Sequence, residues 1–277
     1  MTAPTNEQSR LQRRYERERA ARREAEAIAE RVTGELYAKN REAERANRDL
    51  EAANQTLKDF VAVAAHDLRG PVSAIMGFAN TMLRAWDQFS EEEKQEYVSI
   101  IERQGKHVTR MLDSLLTVSR IESGALDVQR EEIPVAGAIA TALEDVGDRA
   151  RGLEVQCPDG LTVVADPDHV QRILVNYISN AYKYGEPPVT VEAREVDGYV
   201  EVVVSDLGQG VPDDFASRLF HKFARADSEA TRKEKGTGLG LSIVQGLAQA
   251  NQGDAWYEAN QPHGSRFGVR LPAKAAA

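Results

Sequence analysis

Three observations predict a chain that is helical in its first half and α/β in its second. Apolar residues recur at alternating steps of three and four up to about residue 64. A helix-start signature then separates two further amphipathic stripes. After Leu126 the texture changes to β-branched runs alternating with helical patterns, with Gly and Pro between them. The expected architecture is an N-terminal coiled-coil helix, a helical hairpin that pairs with a second copy as an antiparallel four-helix bundle, and an α/β sandwich.

Residues 1–9, "MTAPTNEQS", are small and polar and are expected to be disordered. From Arg10 to Lys58 the chain is rich in Arg, Glu, Ala and Gln, a composition that favours long exposed helix. Leu36, Ala43, Ala46, Leu50, Ala53, Leu57, Phe60 and Ala64 form a heptad seam, with Lys39 filling one slot. Ile28, Val32 and Leu36 are spaced four and four, a stutter that alters the supercoil locally. Residues 59–123 continue with a stripe of Leu68, Val72, Ile75, Ala79, Met82 and Trp86. "RAWDQFSEEEK" interrupts it, and Ser90 with Glu93 reads as a capping box. Tyr97, Ile101, Val108, Met111, Leu115 and Val118 form the second stripe. A lone hairpin cannot bury both stripes, so a homodimer is expected.

In residues 124–277, "PPVTVEARE", "YVEVVVSD" and "SRFGVRLP" read as strands. "DPDHVQRILVNYISNAYKY" and "GLGLSIVQGLAQAN" read as helices. The chain has 277 residues, a net charge of −9 and one cysteine, Cys157. The charge argues against general nucleic-acid affinity, and a single cysteine excludes an intrachain disulfide. No apolar run is long enough to span a membrane and no signal sequence follows Met1, so a cytoplasmic location is expected.

Chemistry-bearing residues fall in four places. Asn176, Asn180 and Lys183 share a helical face apart from the apolar face of Val170, Leu174, Tyr177 and Ala181. That face suits a hard cation and phosphate oxygens, or simply solvent. Asp206 leaves the strongest strand into a turn with Gly208 and Gly210. Its carboxylate could accept from the exocyclic amino group of adenine, although an ordinary Asp-Gly turn has the same text. Gly236, Gly238 and Gly240 precede an apolar helix, an arrangement that offers backbone N–H groups to phosphate. In "VAVAAHDLRGPV", His66 lies about 200° from the seam positions Ala64 and Leu68, so it faces away from the bundle core.

Taken in order, "AHDLRGP", "NYISNAYKY", "DLGQG", "LFHKFARAD" and "GTGLGLSIV" resemble the H, N, first glycine, F and second glycine boxes of sensor histidine kinases. The resemblance runs from about Asp59 to Pro272. It implies a dimerization and histidine phosphotransfer hairpin followed by a Bergerat-type ATP-binding domain, with ATP and Mg²⁺ as ligands. His66 would be the phosphoacceptor and Asp67 the acid that orients and deprotonates it. Asn180 would ligate Mg²⁺, with Asn176 beside the ion and its waters. Lys183 and Arg225 would meet phosphates, Tyr184 the base or ribose, and Asp206 adenine. Gly208 and Gly210 would shape the base site. Phe220 and Phe223 would anchor a lid, and Gly236, Thr237, Gly238, Leu239 and Gly240 would shape its phosphate side. Gly70 departs from the family, in which many members carry Thr or Asn four residues after the histidine to position water for dephosphorylating the partner. Phosphatase activity is therefore in doubt, and Gly70 beside Pro71 is expected to loosen the helix.

The expected partners are a second copy, the receiver domain of a separate response regulator and an upstream sensor acting through the coiled coil. Two rival readings differ in class. A hydrolytic ATPase of the same nucleotide-binding superfamily would carry Glu where Asn176 stands. A catalytically silent dimeric scaffold would carry a damaged box. Among the remaining histidines, His107 reads as bundle packing, and His169, His221 and His263 as surface or near-surface residues.

Overall fold

The computed structural model describes residues 6–150, 152–224 and 238–274. Two compact units divide it, Met1–Val61 and Ala62–Ala277. Helix α1 runs Asn6–Ala85. Asn6–Ser9, expected to be disordered as part of residues 1–9, are already helical. Once a helix is nucleated, each added residue gains a backbone bond at little cost; residues 1–5 lie outside the described ones. In the first unit Val32, Leu36 and Leu50 are exposed, beside surface ion pairs such as Arg22–Glu26 at 3.2 Å.

In the second unit α1 passes Gly70 and Pro71 without a break, contrary to the expected loosening. Proline removes only the backbone bond to the Asp67 carbonyl, and burial of its ring offsets that loss. The helix ends where Trp86–Gln88 form a 3₁₀ turn. The Ser90 hydroxyl accepts from Glu93 N at 3.2 Å and the Glu93 carboxylate accepts from Ser90 N at 2.8 Å, completing the capping box. Helix α2 follows, Glu91–Glu122. Tyr97 contacts both Phe78 and Phe89, with centroids 5.4 and 5.0 Å apart, and so staples the turn of the hairpin. Met82, Met111 and Val118 are buried along its inner faces.

The α/β domain runs β1 (Glu131–Pro134), α3 (Val135–Val146), β2 (Glu154–Gln156), β3 (Thr162–Ala165), α4 (Pro167–Tyr184), β4 (Thr190–Val196), β5 (Tyr199–Ser205), a four-residue α5 (Asp213–Ala216), α6 (Gly240–Ala250), β6 (Asp254–Ala259) and β7 (Ser265–Pro272). The main sheet has the order β2-β4-β5-β7-β6, and β1 pairs with β3 apart from it. Only β2 and β4 are parallel neighbours in this sheet. Ile173, Leu174, Tyr177 and Ile178 of α4 pack with Val191, Val202, Val204 and Val269 of the strands, all buried. The Tyr177 hydroxyl donates to Gly268 O at 3.0 Å, so the one polar atom on that face is paired. On the other face Glu201 accepts from Arg194 and Arg270, each at 2.9 Å.

The ends of α4 and α6 are joined by a buried polar cluster. Asp166 caps α4 by accepting from His169 N at 3.2 Å, and its other oxygen accepts from Gln129 N at 2.9 Å. Asp166 N donates to the Asn251 side-chain oxygen at 2.8 Å. The Asn251 amide donates in turn to Leu247 O and to His169 Nδ1 at 2.8 and 3.0 Å. His169 is therefore buried, which corrects its expected surface or near-surface placement; the helix end that covers it arrives 82 residues later. Burial also holds its pKa below the usual imidazole value.

The α/β domain meets the C-terminal part of α2. Arg172 Nη1 donates to Thr117 Oγ1 at 2.6 Å, Lys222 pairs with Glu122, and Gly246 lies against Ile121. Because the Asn251 side chain satisfies three buried groups at once, Asn251→Ala is expected to cost about 2–3 kcal/mol, read by thermal or urea unfolding.

Candidate active site

His66 projects from α1 with 81% of its side chain exposed, while Ala64 is buried on the inner face. The helical spacing that sets Ala64 inward thus sets the imidazole outward. Asp67 follows it and brings a carboxylate oxygen to 3.2 Å from Nδ1. A carboxylate can only accept, so this contact assigns the ring proton to Nδ1 and leaves the Nε2 lone pair open.

The second cluster is built along α4. Asn180 Nδ2 donates to Asn176 Oδ1 at 3.0 Å, which leaves the Asn180 oxygen as the atom able to ligate a hard cation. Gly240, at the start of α6, packs directly on the Asn176 amide; a Cβ there would lie 3.2 Å from Asn176 Cγ and closer still to its nitrogen. The second glycine box therefore meets the first asparagine by backbone contact. One turn on, Lys183 Nζ donates to the Tyr184 hydroxyl at 2.9 Å and sits 4.7 Å from that ring.

The end of α4 reaches Asp206. Gly185 abuts the Asp206 side chain, and Gly208 abuts Gly185. From Asn176 to Gly185 the helix rises about 13 Å. The amide pair thus stands from the middle of α4 onward and the buried carboxylate against its C-terminal end, along one rigid element. Asp206 is only 4% exposed. Its Oδ1 accepts from Gly208 N at 2.8 Å, its N donates to Ser265 O at 3.0 Å, and its carbonyl accepts from Asn260 Nδ2 at 2.8 Å. Burial pushes the Asp206 carboxyl above the usual carboxylate range, and bonds from Gly208 and Ser265 only partly oppose it.

Gly210, at φ 74°, turns the chain against Gly264. Gly264, at φ 109°, lies on the Asp206 carbonyl where any side chain would collide. Phe223 N donates to Gly238 O at 2.9 Å, and both residues have positive φ, 59° and 67°. For a bulky residue such as Phe223 that backbone is unusual and costs energy, which the contact with Gly238 offsets. Phe220 is half-buried and Leu239 buried. Arg225, Gly236 and Thr237 lie outside the described residues. Motif reading missed Gly185, Asn260, Gly264 and Ser265. A glycine directly after the "NYISNAYKY" box and the Gly264 that precedes the closing strand were the available signals.

Two family models match the chain. Residues 56–124 match the His Kinase A phospho-acceptor domain, and residues 165–275 match the histidine kinase-, DNA gyrase B- and HSP90-like ATPase domain. The first range contains His66 and the second contains both asparagines and Asp206. The chain belongs to the sensor histidine kinases. An uncharacterized sensor-like histidine kinase of Rhizobium meliloti is 33% identical over 234 residues, which make up 82% of this chain and 45% of that relative. The chain thus spans less than half of that protein. Histidine kinase AdeS of Acinetobacter baumannii shares the fold, with a TM-score of 0.61 at 21% identity over 75% of this chain and 97% of that one. Full-length ShkA, solved in complex with AMPPNP, gives a TM-score of 0.58 at 26% identity over 78% of this chain and 46% of its own.

Among the described residues the amide pair lies on α4 and the buried carboxylate at the end of β5. No helix among the described residues is long and apolar enough to cross a membrane. Because the Asp206 pKa is raised by folding, its ionised form opposes folding above that pKa, and the penalty vanishes below the unfolded value. Asp206→Asn is therefore expected to raise the thermal midpoint at neutral pH. In a pH series of unfolding scans, the gain should fade as the medium becomes acidic enough to protonate Asp206 in the parent protein.

Proposed function

We propose that this chain is an ATP-dependent protein-histidine kinase that phosphorylates His66 and passes the phosphoryl group to an aspartate of a separate response regulator. The observation that carries the reading is the exposed His66 imidazole, with Nδ1 held by Asp67 at 3.2 Å and Nε2 left open. The Nε2 lone pair attacks the γ-phosphorus of ATP, a new N–P bond forms, and the bond from phosphorus to the β–γ bridging oxygen breaks. ADP leaves with that electron pair. The imidazolium charge that develops is stabilised by Asp67, which shares the Nδ1 proton.

In the nucleotide cleft Asp206 takes the adenine amino group and Tyr184 lies against base or ribose. Lys183 and Arg225 meet phosphate oxygens. Asn180, with Asn176 beside it, is the place for Mg²⁺; amide oxygens suit this hard ion, which when bound would neutralise phosphate charge. Phe220 and Phe223 anchor the lid, and Gly236, Thr237, Gly238, Leu239 and Gly240 bring its backbone to the phosphates. Asn176 is an amide and no general base, so water attack on ATP is slow. That favours phosphotransfer to His66 over the hydrolytic reading.

The functional form is a homodimer, supported by apolar residues exposed on the hairpin, Val72, Met76, Val98, Leu112 and Leu116 among them. Residues 10–58 act as the coiled-coil input helix, 59–123 as the phosphotransfer hairpin and 124–277 as the ATP-binding domain. An upstream sensor working through the coiled coil, and a cytoplasmic setting, belong to the same proposal.

Incubation with γ-labelled ATP and Mg²⁺ should label the protein, and His66→Gln should abolish the label while nucleotide binding persists. Label remaining on that variant would overturn the assignment. Gly70 has open space around it, so a side chain fits there. Gly70→Thr is expected to gain phosphatase activity toward the phosphorylated regulator, measured as loss of its label over time.

A further inference from the structure

The turn after β5, Asp206–Val211, carries the buried carboxylate and contains Gly208 and Gly210. Glycine loses more conformational freedom on ordering than any other residue, so such a turn keeps one shape only if its neighbours fix it. The β6–β7 hairpin supplies side chains for this. The Asn260 amide donates from Nδ2 to Asp206 O at 2.8 Å. His263 Nδ1 lies 3.3 Å from Gly208 O; a carbonyl only accepts, so Nδ1 carries the proton. The Tyr257 hydroxyl accepts from Val211 N at 3.3 Å, while its ring packs on Phe267 with centroids 5.2 Å apart. One hairpin thus holds the beginning, the middle and the end of the turn.

Asn260 makes the shortest of these bonds and is itself fixed. Its Oδ1 accepts from Gln261 N at 2.9 Å, so the amide stands one way round, with Nδ2 toward Asp206. Its own N donates to Gly264 O at 3.0 Å and closes the hairpin loop. Ser265 O, the next residue on, accepts from Asp206 N at 3.0 Å. Both backbone polar groups of Asp206 are therefore bound to one hairpin, from the two sides of its loop. They fix the direction of the Cα–Cβ bond. The Gly208 N–H, 2.8 Å from Oδ1, then fixes the carboxylate about it, and His263 holds Gly208 by its carbonyl.

We propose that Asn260, supported by His263, is a positioning residue of the base site: by holding the Asp206 backbone it aims the carboxylate at the purine 6-amino group and so sets the preference for adenine. This rests on the reading of Asp206 as the group that recognises the base, and Asn260 acts through it. Without the Asn260 donor, the Asp206 carbonyl loses its partner and the start of a glycine-rich turn gains freedom. The acceptor for the 6-amino group then samples several directions. A site built to hydrogen-bond one partner discriminates strongly only while that geometry holds.

The test is the ratio of dissociation constants for ATP and inosine triphosphate, titrated with Mg²⁺ on the full chain. The two share ribose and phosphates and differ at position 6, amino in one and carbonyl in the other. Their ratio does not depend on the fraction of protein folded, so a merely structural role would not move it. Asn260→Ala should weaken ATP roughly fivefold to tenfold, the loss of one hydrogen bond, and narrow the ATP preference by a similar factor. Asn260→Asp keeps the acceptor for Gln261 N but cannot donate to Asp206 O, and should narrow the preference at least as much. An unchanged ratio in either variant would overturn the inference. Gln171→Ala removes another side-chain amide bond of the domain, to Asp145 at 2.8 Å, and should leave the ratio as it is. An equal shift there would reduce the effect to general loosening and overturn the proposal too. Asp206→Asn separates this from the reading beneath it. With its oxygen kept on Gly208 N, that amide turns an N–H₂ toward the base, which suits a 6-carbonyl and should remove the preference for ATP. If Asp206→Asn leaves the preference intact, base recognition by Asp206 fails; if it removes the preference while the Asn260 variants do not, only the role of Asn260 fails. Should neither Asn260 variant fold, His263→Ala removes the hold on Gly208 O and should narrow the ratio in the same direction; no change there overturns the proposal.

Discussion

A carboxylate buried at the end of a strand is the constraint around which the α/β domain is arranged. Burying an acid is costly unless its neighbours are polar and well placed. Around Asp206 they are: the Gly208 N–H and bonds from Ser265 reach the carboxylate, while Ser265 O and the Asn260 amide hold the Asp206 backbone. Those three lie on the turn after β5, on β7 and on the loop between β6 and β7. The close approach needs Gly185, Gly208 and Gly264, each at a point where a side chain would collide. Under the proposed function, what the domain gains from this locally unfavourable group is a pre-placed acceptor that reads a purine edge without reorganising.

The same economy of rigid elements links the proposed base site to the proposed phosphate site. Helix α4 carries the amide pair on one turn and abuts Asp206 at its end. Its N-terminus is locked to the end of α6 by Asp166, Asn251 and His169. Helix α6 begins at Gly240 against Asn176, so both ends of α6 are registered on α4. The contacts of Arg172 with Thr117 and of Gly246 with Ile121 then set this block against the lower part of α2. The stapled ring contact of Phe78 with Tyr97 places His66 of α1 across from about Thr109 in the antiparallel partner helix. The block therefore rests on α2 beyond the level of the histidine.

How much of this was legible in the sequence follows from how far apart the interacting residues lie. His66, Asp67, Asn176, Asn180 and Asp206 could be picked out because their chemistry is carried by residue types in short local patterns. The capping box at Ser90 and the strands at 190–196, 199–205 and 265–272 were legible for the same reason: each is a local pattern of propensity or period. Helix α3 was not singled out, since "VAGAIATALEDV" follows Pro134 with no side-chain cap to mark its start. Gly185 meets Asp206 across 21 positions and Asn260 reaches it across 54, and no periodicity encodes such contacts. His169 looked like a first-turn polar residue; its burial is decided by Asn251, which arrives from α6. Pro71 looked like a breaker, yet the helix carries on through it because one missing backbone bond is a small loss in a long packed helix.

The most direct measurement is a crystal structure of the chain with a non-hydrolysable ATP analogue and Mg²⁺. The account predicts the adenine amino group within hydrogen-bond distance of the Asp206 carboxylate, with the base over Gly185 and Gly208. The metal should lie at Asn180, with the terminal phosphate near the start of α6. A nucleotide seated instead in the groove on the opposite face of the sheet, lined by Thr190, Glu192, Ser205 and Arg266, would contradict it.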